Sequence, residues 1–287
     1  MSVVCWYLTM KALLLSRSGD FGSLEDHWPH HPLTLPVLGL PLYQRFADYL
    51  GGLGIREIRI LRAGSAILTP ADLALEAQLK KNPGVTEWSL RAWPTDPYPA
   101  GRTLPDILRE QRLFQDGEDV LVLSAPLLPL VQLTGPKVPA QFPLSTSRLL
   151  APRLLSLKGV VSQTDPGPFA SMTTPLEFYR TQLRLLATVP PASASLKGVH
   201  RQARMEAPLW LGSKVRIAAG AQVGPEVILA PGATIGKGAR IKATVVLTKL
   251  VIGSGAEFEG KLMIGNTVIA PETGDSVLIT DRNILRP

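Results

Sequence analysis

The chain has 287 residues, of which 45% are hydrophobic and 18% are charged, and its formal net charge is +7. A chain of this length and composition can bury a sizeable core, which excludes a wholly disordered or fibrous protein. The basic residues of the segment 197–261 are dispersed without interleaved aromatic residues, and no signature of a nucleic-acid module is present. We therefore interpret the charge as a solvated basic face and expect no nucleic-acid partner.

The amino-terminal segment is apolar over residues 3–15, but it is too short to span a bilayer and is interrupted by Lys11. It lacks the basic start and the small-residue cleavage site of a signal peptide. We expect no membrane span, with either Met1 or Met10 as the natural start. Cys5 is the only cysteine, which excludes an internal disulfide and favours a reducing, cytoplasmic location.

A short apolar run at residues 11–16 predicts a buried parallel strand, and it leads into a flexible turn at residues 17–23. A strand that feeds a glycine-bearing loop binds phosphate in many α/β folds, because exposed backbone N–H groups can meet an anion there. The candidate nucleotide-binding residues are therefore Ser16, Arg17, Gly19 and Gly22.

Acidic and imidazole side chains follow this loop at Glu25, Asp26, His27, His30 and His31. Histidine and carboxylate groups are suitable metal ligands. No further ligands follow at the spacing of a known metal site, so we interpret this patch as an exposed loop.

The next elements alternate between helix and strand. Apolar residues at helical spacing predict a helix over residues 42–53 that Gly54 caps, followed by a strand at residues 55–61 with Ile55, Ile58 and Ile60 inside. Further along the chain, the pattern predicts a strand at residues 85–92, a helix at 104–114 and a strand at 119–124.

Residues 211–269 repeat with a period of six, which is the hexapeptide pattern of a β-helix. Each short strand is expected to turn an aliphatic or small side chain inward, and glycine fills the corners. The period slips once by one residue, and we place this slip in a loop or shortened corner at residues 248–251. The expected inward residues are Leu211, Val215, Ile217, Ala221, Val223, Val227, Leu229, Ala233, Ile235, Ala239, Ile241, Val245 and Leu247.

Three segments together resemble the sugar-1-phosphate nucleotidyltransferases, particularly those similar to mannose-1-phosphate guanylyltransferase. The run Leu35-Pro-Val-Leu-Gly39-Leu-Pro41, followed by a helix and a strand, resembles the opening of this family. Residues 119–126 resemble the family strand that ends in Asn-Gly-Asp, and residues 174–179 resemble a helix start with the sequence Thr-Pro-Glu-Asp-Tyr. Family members commonly carry a C-terminal left-handed β-helix, so the resemblance covers most of the chain in the right order.

The resemblance also shows where the chain departs from the family's catalytic motifs. The first family loop, Gly-x-Gly-Thr-Arg, cradles the nucleotide, whereas residues 16–23 contain neither Gly-x-Gly nor Thr-Arg. The family lysine that precedes the Leu-Pro-Val run falls on Pro32, or on His31 if the alignment shifts by one residue. Neither supplies an ammonium group, although phosphoryl chemistry of this kind needs cations to hold the reacting groups.

The two metal-binding aspartates of the family fall on Pro126 and Ser171. Proline has no side-chain oxygen and cannot coordinate Mg²⁺. Asp165 lies near the second position, but we interpret it as part of a proline-glycine turn. We expect no metal site and no catalytic residue, with Mg²⁺ as a cofactor only if the chain is active.

The expected fold is therefore α/β, with a truncated Rossmann-like nucleotidyltransferase domain followed by a left-handed parallel β-helix. The interval between Pro126 and Ser171 is shorter than the sugar-binding half of an intact member, which is the reason for the word truncated. We expect the α/β domain at residues 1–190, a linker at 191–208 and the hexapeptide-repeat β-helix at 209–287.

The sequence predicts a pseudoenzyme that acts as a regulatory, scaffold or assembly subunit. It would form a homo-oligomer or pair with an active paralogue, and a nucleotide or sugar phosphate is its candidate ligand. One alternative is an active nucleotidyltransferase that makes a sugar nucleotide with the displaced residues Arg17, Asp20 and Asp165. The other is a hexapeptide-repeat acyltransferase, which would need a histidine base where the repeat has none.

Overall fold

A computed structural model describes residues 11–64, 67–81, 87–93, 108, 112–114, 119–129, 153–156, 161–162, 169–189 and 197–287. The chain divides into two compact units. Unit 1 comprises residues up to Asp20, Pro29–Thr34 and Leu42–Ser171, and unit 2 comprises Phe21–Trp28, Leu35–Pro41 and Met172–Pro287. The helices are α1 (Leu24–His27), α2 (Leu42–Gly52), α3 (Pro70–Leu79) and α4 (Pro175–Leu186).

The first ten strands of the described chain are short, and eight of them belong to unit 1. They are β1 (Lys11–Arg17), β2 (Pro36–Val37), β3 (Leu40–Pro41), β4 (Glu57–Ala63), β5 (Glu87–Trp93), β6 (Asp119–Ser124), β7 (Leu127–Pro129), β8 (Arg153–Ser156), β9 (Val161–Ser162) and β10 (Phe169–Ser171).

Unit 1 is an α/β unit whose described strands form a Rossmann-like sheet in the order β5-β4-β1-β6-β8-β9. The pairs among β5, β4, β1 and β6 are parallel, while β8 and β9 are antiparallel additions. β1 is buried along its centre because both faces of a parallel sheet are covered, which explains its continuous run of apolar residues.

The predicted elements at the start of the chain are confirmed. The predicted strand at 11–16 is β1, and the predicted helix is α2, in which Leu42, Phe46, Tyr49 and Leu50 are buried. Gly54 follows α2 at a φ of 81°, as a helix-ending glycine does. Ile55, Ile58 and Ile60 are fully buried, and the predicted strand 119–124 is β6. The predicted helix at 104–114 falls mostly outside the described residues.

The carboxy-terminal half of unit 2 contains three sheets of very short strands, which we call the three-sheet region (residues 204–286). Its strands are β11 (Arg204–Met205), β12 (Leu209–Leu211), β13 (Arg216–Ile217), β14 (Gln222–Val223), β15 (Val227–Leu229), β16 (Thr234–Ile235), β17 (Arg240–Lys242), β18 (Thr244–Val246), β19 (Val251–Ile252), β20 (Glu257–Glu259), β21 (Leu262–Ile264), β22 (Thr267–Ile269), β23 (Ser276–Leu278) and β24 (Leu285–Arg286).

From β11 to β21, consecutive strands of this region enter the three sheets in rotation. The sheet orders are β11-β14-β17-β20, β12-β15-β18-β21-β22-β23 and β13-β16-β19-β24. All pairings up to β21 are parallel, while β22, β23 and β24 run antiparallel at the end of the chain. Gln222 pairs with Arg240, 18 residues later, so the chain returns to the same sheet after three hexads.

The inward positions up to Ile241 are confirmed, but the predicted site of the period slip is wrong. Val227 pairs with Thr244, only 17 residues later, so the missing residue lies before Thr244 and not at 248–251. The corner between β17 and β18 is the single residue Ala243, which adopts a φ of 43°. Thr244 and Val246 therefore take the inward positions that the sequence assigned to Val245 and Leu247.

The sheet that contains β12, β15, β18 and β21 differs from its two neighbours because both faces of its strands β15, β18 and β21 are covered. All residues of β15, β18 and β21 are buried, whereas strands such as β13 and β14 alternate between exposed and buried residues. The Tyr179 hydroxyl of α4 donates to the carbonyl oxygen of Ala243 at 2.6 Å. Helix α4 therefore contacts this sheet at the corner formed by Ala243.

The hairpin of β2 and β3 packs on the same sheet through Gly39. Leu38 and Gly39 both have positive φ, as a two-residue type I′ turn requires. The buried Gln182 amide accepts from the Leu38 N–H at 3.0 Å and donates to the Pro36 carbonyl at 2.7 Å. A Cβ at Gly39 would lie 2.1 Å from the Trp210 ring, so the indole packs directly on the glycine backbone.

A Gly39→Ala substitution tests this packing against a matched control. Gly19 also has a positive φ, 82°, but a Cβ there would meet nothing within 4 Å. Gly19→Ala should cost only the backbone strain of about 1 kcal/mol. Gly39→Ala should cost a further 1–3 kcal/mol, roughly, from overpacking against Trp210.

The measurement is urea unfolding of both variants followed by circular dichroism. Equal losses in the two variants would contradict the contact between Gly39 and Trp210.

Candidate functional site

The strand order of unit 1 places a topological switch point beside β1. The chain passes from β1 to β4 and β5 on one side, and β6 then pairs with β1 on the other side. Ligands of open α/β sheets bind outside the carboxyl ends of the strands at such a point. The candidate site of this chain is therefore the edge formed by Ser16 and Arg17 of β1, Arg62 of β4 and Ser124 of β6.

The loop after β1 is closed by one of its own carboxylates. The Arg17 N–H donates to Asp20 Oδ2 at 2.8 Å, and the Asp20 N–H returns to the Arg17 carbonyl at 3.4 Å. The Asp20 carboxylate therefore already uses the Arg17 N–H, a backbone donor that could otherwise bind an anion. Its negative charge also opposes a polyphosphate in this loop.

The four sequence-predicted nucleotide-binding residues do not share one environment. Ser16 is fully buried at the end of β1, and Arg17 and Gly19 lie in the loop of unit 1. Gly22 belongs to unit 2, where a Cβ would lie 2.8 Å from the Thr173 carbonyl oxygen. The close approach of the Thr173 backbone accounts for the glycine at position 22 without any ligand.

Arg62 is a site residue that the sequence analysis missed. It lies opposite Ser16 in the register of β1 and β4, and its guanidinium donates to Ser16 Oγ and Ser18 Oγ, both at 3.2 Å. A single arginine belongs to no recognisable sequence motif. The only signal for Arg62 in the sequence was its position at the carboxyl end of the predicted strand after α2.

His31 is buried beside the carboxylate of Asp72, with exposed fractions of 2% and 1%. The His31 Nδ1 accepts from the Leu33 N–H at 3.0 Å, so the proton of the neutral ring lies on Nε2, which faces Asp72 Oδ1 at 3.4 Å. Asp72 also caps α3 by accepting from the N–H and hydroxyl of Thr69. The turn that contains His31 therefore lies beside the first turn of α3.

Burial lowers the pKa of His31 to about 4, with help from the positive charge of Arg62 and opposition from Asp72. The ring is therefore neutral at pH 7. It carries no positive charge at this pH, and its acceptor nitrogen is already occupied by the Leu33 N–H, so it is not placed to act as a general base.

The acidic and imidazole patch predicted from the sequence is divided between the units. Glu25, Asp26 and His27 lie in unit 2, where Glu25 Oε1 accepts from the Phe21 N–H at 3.2 Å. His31 belongs to unit 1 and is turned inward. Within the described ranges, no three histidine, cysteine or carboxylate side chains are grouped as a metal site would require.

The two positions on which the resemblance places metal ligands, Pro126 and Ser171, lie near each other. Pro126 is buried in the turn between β6 and β7, and β7 pairs with β10 so that Leu127 lies opposite Ser171. The side chains present are a pyrrolidine ring and a hydroxyl, and neither is the carboxylate that Mg²⁺ prefers. Asp165, the displaced carboxylate considered from the sequence, lies outside the described residues.

The remaining motifs of the resemblance have structural roles. Residues 36–41 form the hairpin held by Gln182, and Thr174 caps α4 by accepting from the Glu177 N–H at 3.2 Å. No protein-family model and no curated protein matches this sequence. In the part of the chain that the structure describes, no helix is long and apolar enough to cross a membrane.

The buried histidine makes stability depend on pH, with a sign that follows from its lowered pKa. The unfolded value is 6.5 and the folded value is about 4. Between these values the unfolded chain binds a proton that the folded chain does not, so stability present above pH 6.5 is lost as pH falls towards 4. The difference corresponds to about 3 kcal/mol when the whole window is crossed.

Urea unfolding at pH 7 and pH 5 should show this loss in the wild-type chain and a smaller loss in His31→Gln. His30→Gln is the matched control, because His30 is the exposed neighbour. Identical pH dependence in the wild-type and His31→Gln chains would contradict the assignment.

Proposed function

We propose that this chain is a sugar-nucleotidyltransferase-like protein that has lost catalysis and acts as a regulatory, scaffold or assembly subunit. The observation that supports this proposal most directly is the pairing of β7 with β10, which brings the Pro126 turn beside Ser171. The resemblance places a metal ligand at each of these positions, and the side chains present at both are unsuitable for Mg²⁺.

The polar groups around the sheet edge support the same function. Nucleotidyl transfer needs cations and backbone donors around a polyphosphate. Here Asp20 occupies a loop amide, and His31 is neutral where the family has a lysine. An active enzyme built from Arg17, Asp20 and Asp165 would have to coordinate its metal with an Asp20 carboxylate that already closes the loop through the Arg17 N–H.

We further propose that residues 209–287 form a left-handed parallel β-helix. The return to the same sheet after 17 or 18 residues and the inward aliphatic positions support a coil of three hexads. The handedness is that of the family the chain resembles. The single cysteine favours a reducing, cytoplasmic setting for this protein.

An open strand edge supports assembly with a second copy of the chain. β23 is the last described strand of its sheet, and Val277 and Leu278 are 60% and 59% exposed. Its neighbour sheet instead ends in β20, where Glu257 and Glu259 are paired with Arg240 and Lys242. Exposed apolar edges are prone to pair with another strand, and charged ones resist it.

The assay for lost catalysis is the release of pyrophosphate from nucleoside triphosphates and sugar 1-phosphates with Mg²⁺. We expect no release above a protein-free control at any combination of the common bases and sugars. The double variant Pro126→Asp/Ser171→Asp is the gain-of-binding control, because it places carboxylates at both positions. This variant should bind Mg²⁺ measurably. Turnover by the wild-type chain would overturn the proposal.

Assembly is tested separately by light scattering after size exclusion. The wild-type chain should be larger than a monomer, and Val277→Lys should reduce the mass by disfavouring strand pairing. Lys261→Glu is a control for charge change elsewhere in the region. A monomeric wild-type chain would remove the assembly role while leaving the loss of catalysis untouched.

A further inference from the structure

Arg62 differs from Lys11 and Arg59 of the same sheet in the groups that it contacts. Lys11 pairs with Glu57 at 2.9 Å, and Arg59 lies 3.9 Å from Glu87. Arg62 is half-buried, and in the described part of the chain its guanidinium bonds only to the hydroxyls of Ser16 and Ser18. A guanidinium presents five N–H donors, and these two neutral contacts do not balance its charge.

Among the described residues, no ion pair joins Asp72 to Arg62. Its Oδ2 accepts from the Thr69 N–H at 2.6 Å and from the Thr69 hydroxyl at 2.7 Å, while its Oδ1 faces the His31 ring. The carboxylate accepts both bonds from Thr69 of its own helix cap, and the His31 Nε2 lies close to it without forming a hydrogen bond. The positive charge of Arg62 acts on His31 from nearby and helps to keep that ring neutral.

The two hydroxyls have different positions around Arg62. Ser16 is fully buried and holds the guanidinium from within the fold, whereas Ser18 is exposed. A serine oxygen that accepts a bond from a guanidinium still has its own O–H to donate. An anion at this position would receive charge-assisted bonds from the planar guanidinium and one further bond from Ser18. All three groups lie at the carboxyl ends of β1 and β4, the edge where ligands of such sheets bind.

We propose that Arg62 and Ser18 bind the phosphate of a phosphate monoester, with the Arg62 side chain of β4 as the main anion ligand in place of loop amides and the buried Ser16 holding its guanidinium in position. Asp20 lies in the same loop, and its charge opposes a triphosphate more strongly than a monoester. The site is therefore selective for a singly phosphorylated small molecule, such as a sugar phosphate or a nucleoside monophosphate.

A regulatory role for phosphate binding at this site would rest on the proposed function. The binding itself is tested independently of catalysis. Binding is measured without Mg²⁺ and without turnover. A failure to bind phosphate leaves the lost catalysis unaffected, and pyrophosphate release would overturn the proposed function without touching the phosphate site.

The experiment is titration of the full chain with inorganic phosphate at low salt, followed by calorimetry. Wild-type protein should saturate below about 10 mM phosphate. Arg62→Gln should weaken binding by about tenfold or more, and Arg62→Lys by less, because it keeps the charge and loses the planar fork. Arg91→Gln is the matched control, since Arg91 is an exposed arginine on β5 of the same sheet.

A second variant keeps the test decisive if Arg62→Gln fails to fold. Ser18 is exposed, so Ser18→Ala should fold normally and weaken phosphate binding a few-fold. Unchanged binding in Ser18→Ala and in a folded Arg62→Gln, or equal weakening by Arg91→Gln, would overturn the proposal. So would the absence of binding to the wild-type chain.

Parallel titrations distinguish the sources of the phosphate group. A sugar 1-phosphate and a nucleoside monophosphate should each bind at least as tightly as inorganic phosphate, and the tighter of the two identifies the source. A nucleoside triphosphate should bind more weakly than the monophosphate of the same base. The reverse order would contradict the role assigned to Asp20.

Discussion

The packing of one inward side chain on the next holds the three-sheet region together. A strand of two or three residues has too few hydrogen bonds to persist alone, but here each inward residue contacts its counterparts 17 or 18 positions away in the sequence. Ala221, Ala233 and Ala239 are fully buried beside larger Ile235 and Ile241, so small and branched residues share the interior. The period of six is the constraint that keeps these side chains aligned.

This constraint explains how the chain tolerates a coil that is one residue short. Loss of a residue within a strand would turn every later side chain to the wrong face. The loss lies instead at the corner of Ala243, whose left-handed conformation lets one residue connect β17 to β18. Thr244 then enters the interior with its hydroxyl bonded to the Lys242 carbonyl at 2.7 Å, which satisfies a polar group that would otherwise be costly to bury.

Hydrophobic pattern was sufficient to predict β1, α2, β4, β6 and the six-residue period, because each depends on local spacing. It misplaced the slip, since Val245 and Leu247 continue the expected pattern and only the pairing of Val227 with Thr244 reveals the shift. Much of the candidate site could not be predicted for a related reason. The contacts of Arg62 with Ser16, of His31 with Asp72 and of Gly22 with Thr173 join residues far apart in sequence.

The β6–β7 turn lies beside β10, so that Pro126 and Ser171, whose side chains do not suit Mg²⁺, are near each other. The most direct measurement is a crystal structure of the full chain grown with Mn²⁺ and a nucleoside triphosphate, with anomalous scattering recorded for the metal. The account predicts no ordered Mn²⁺ within coordination distance of the turn at Pro126 or of Ser171. A bound Mn²⁺ bridging the triphosphate at this turn would contradict it.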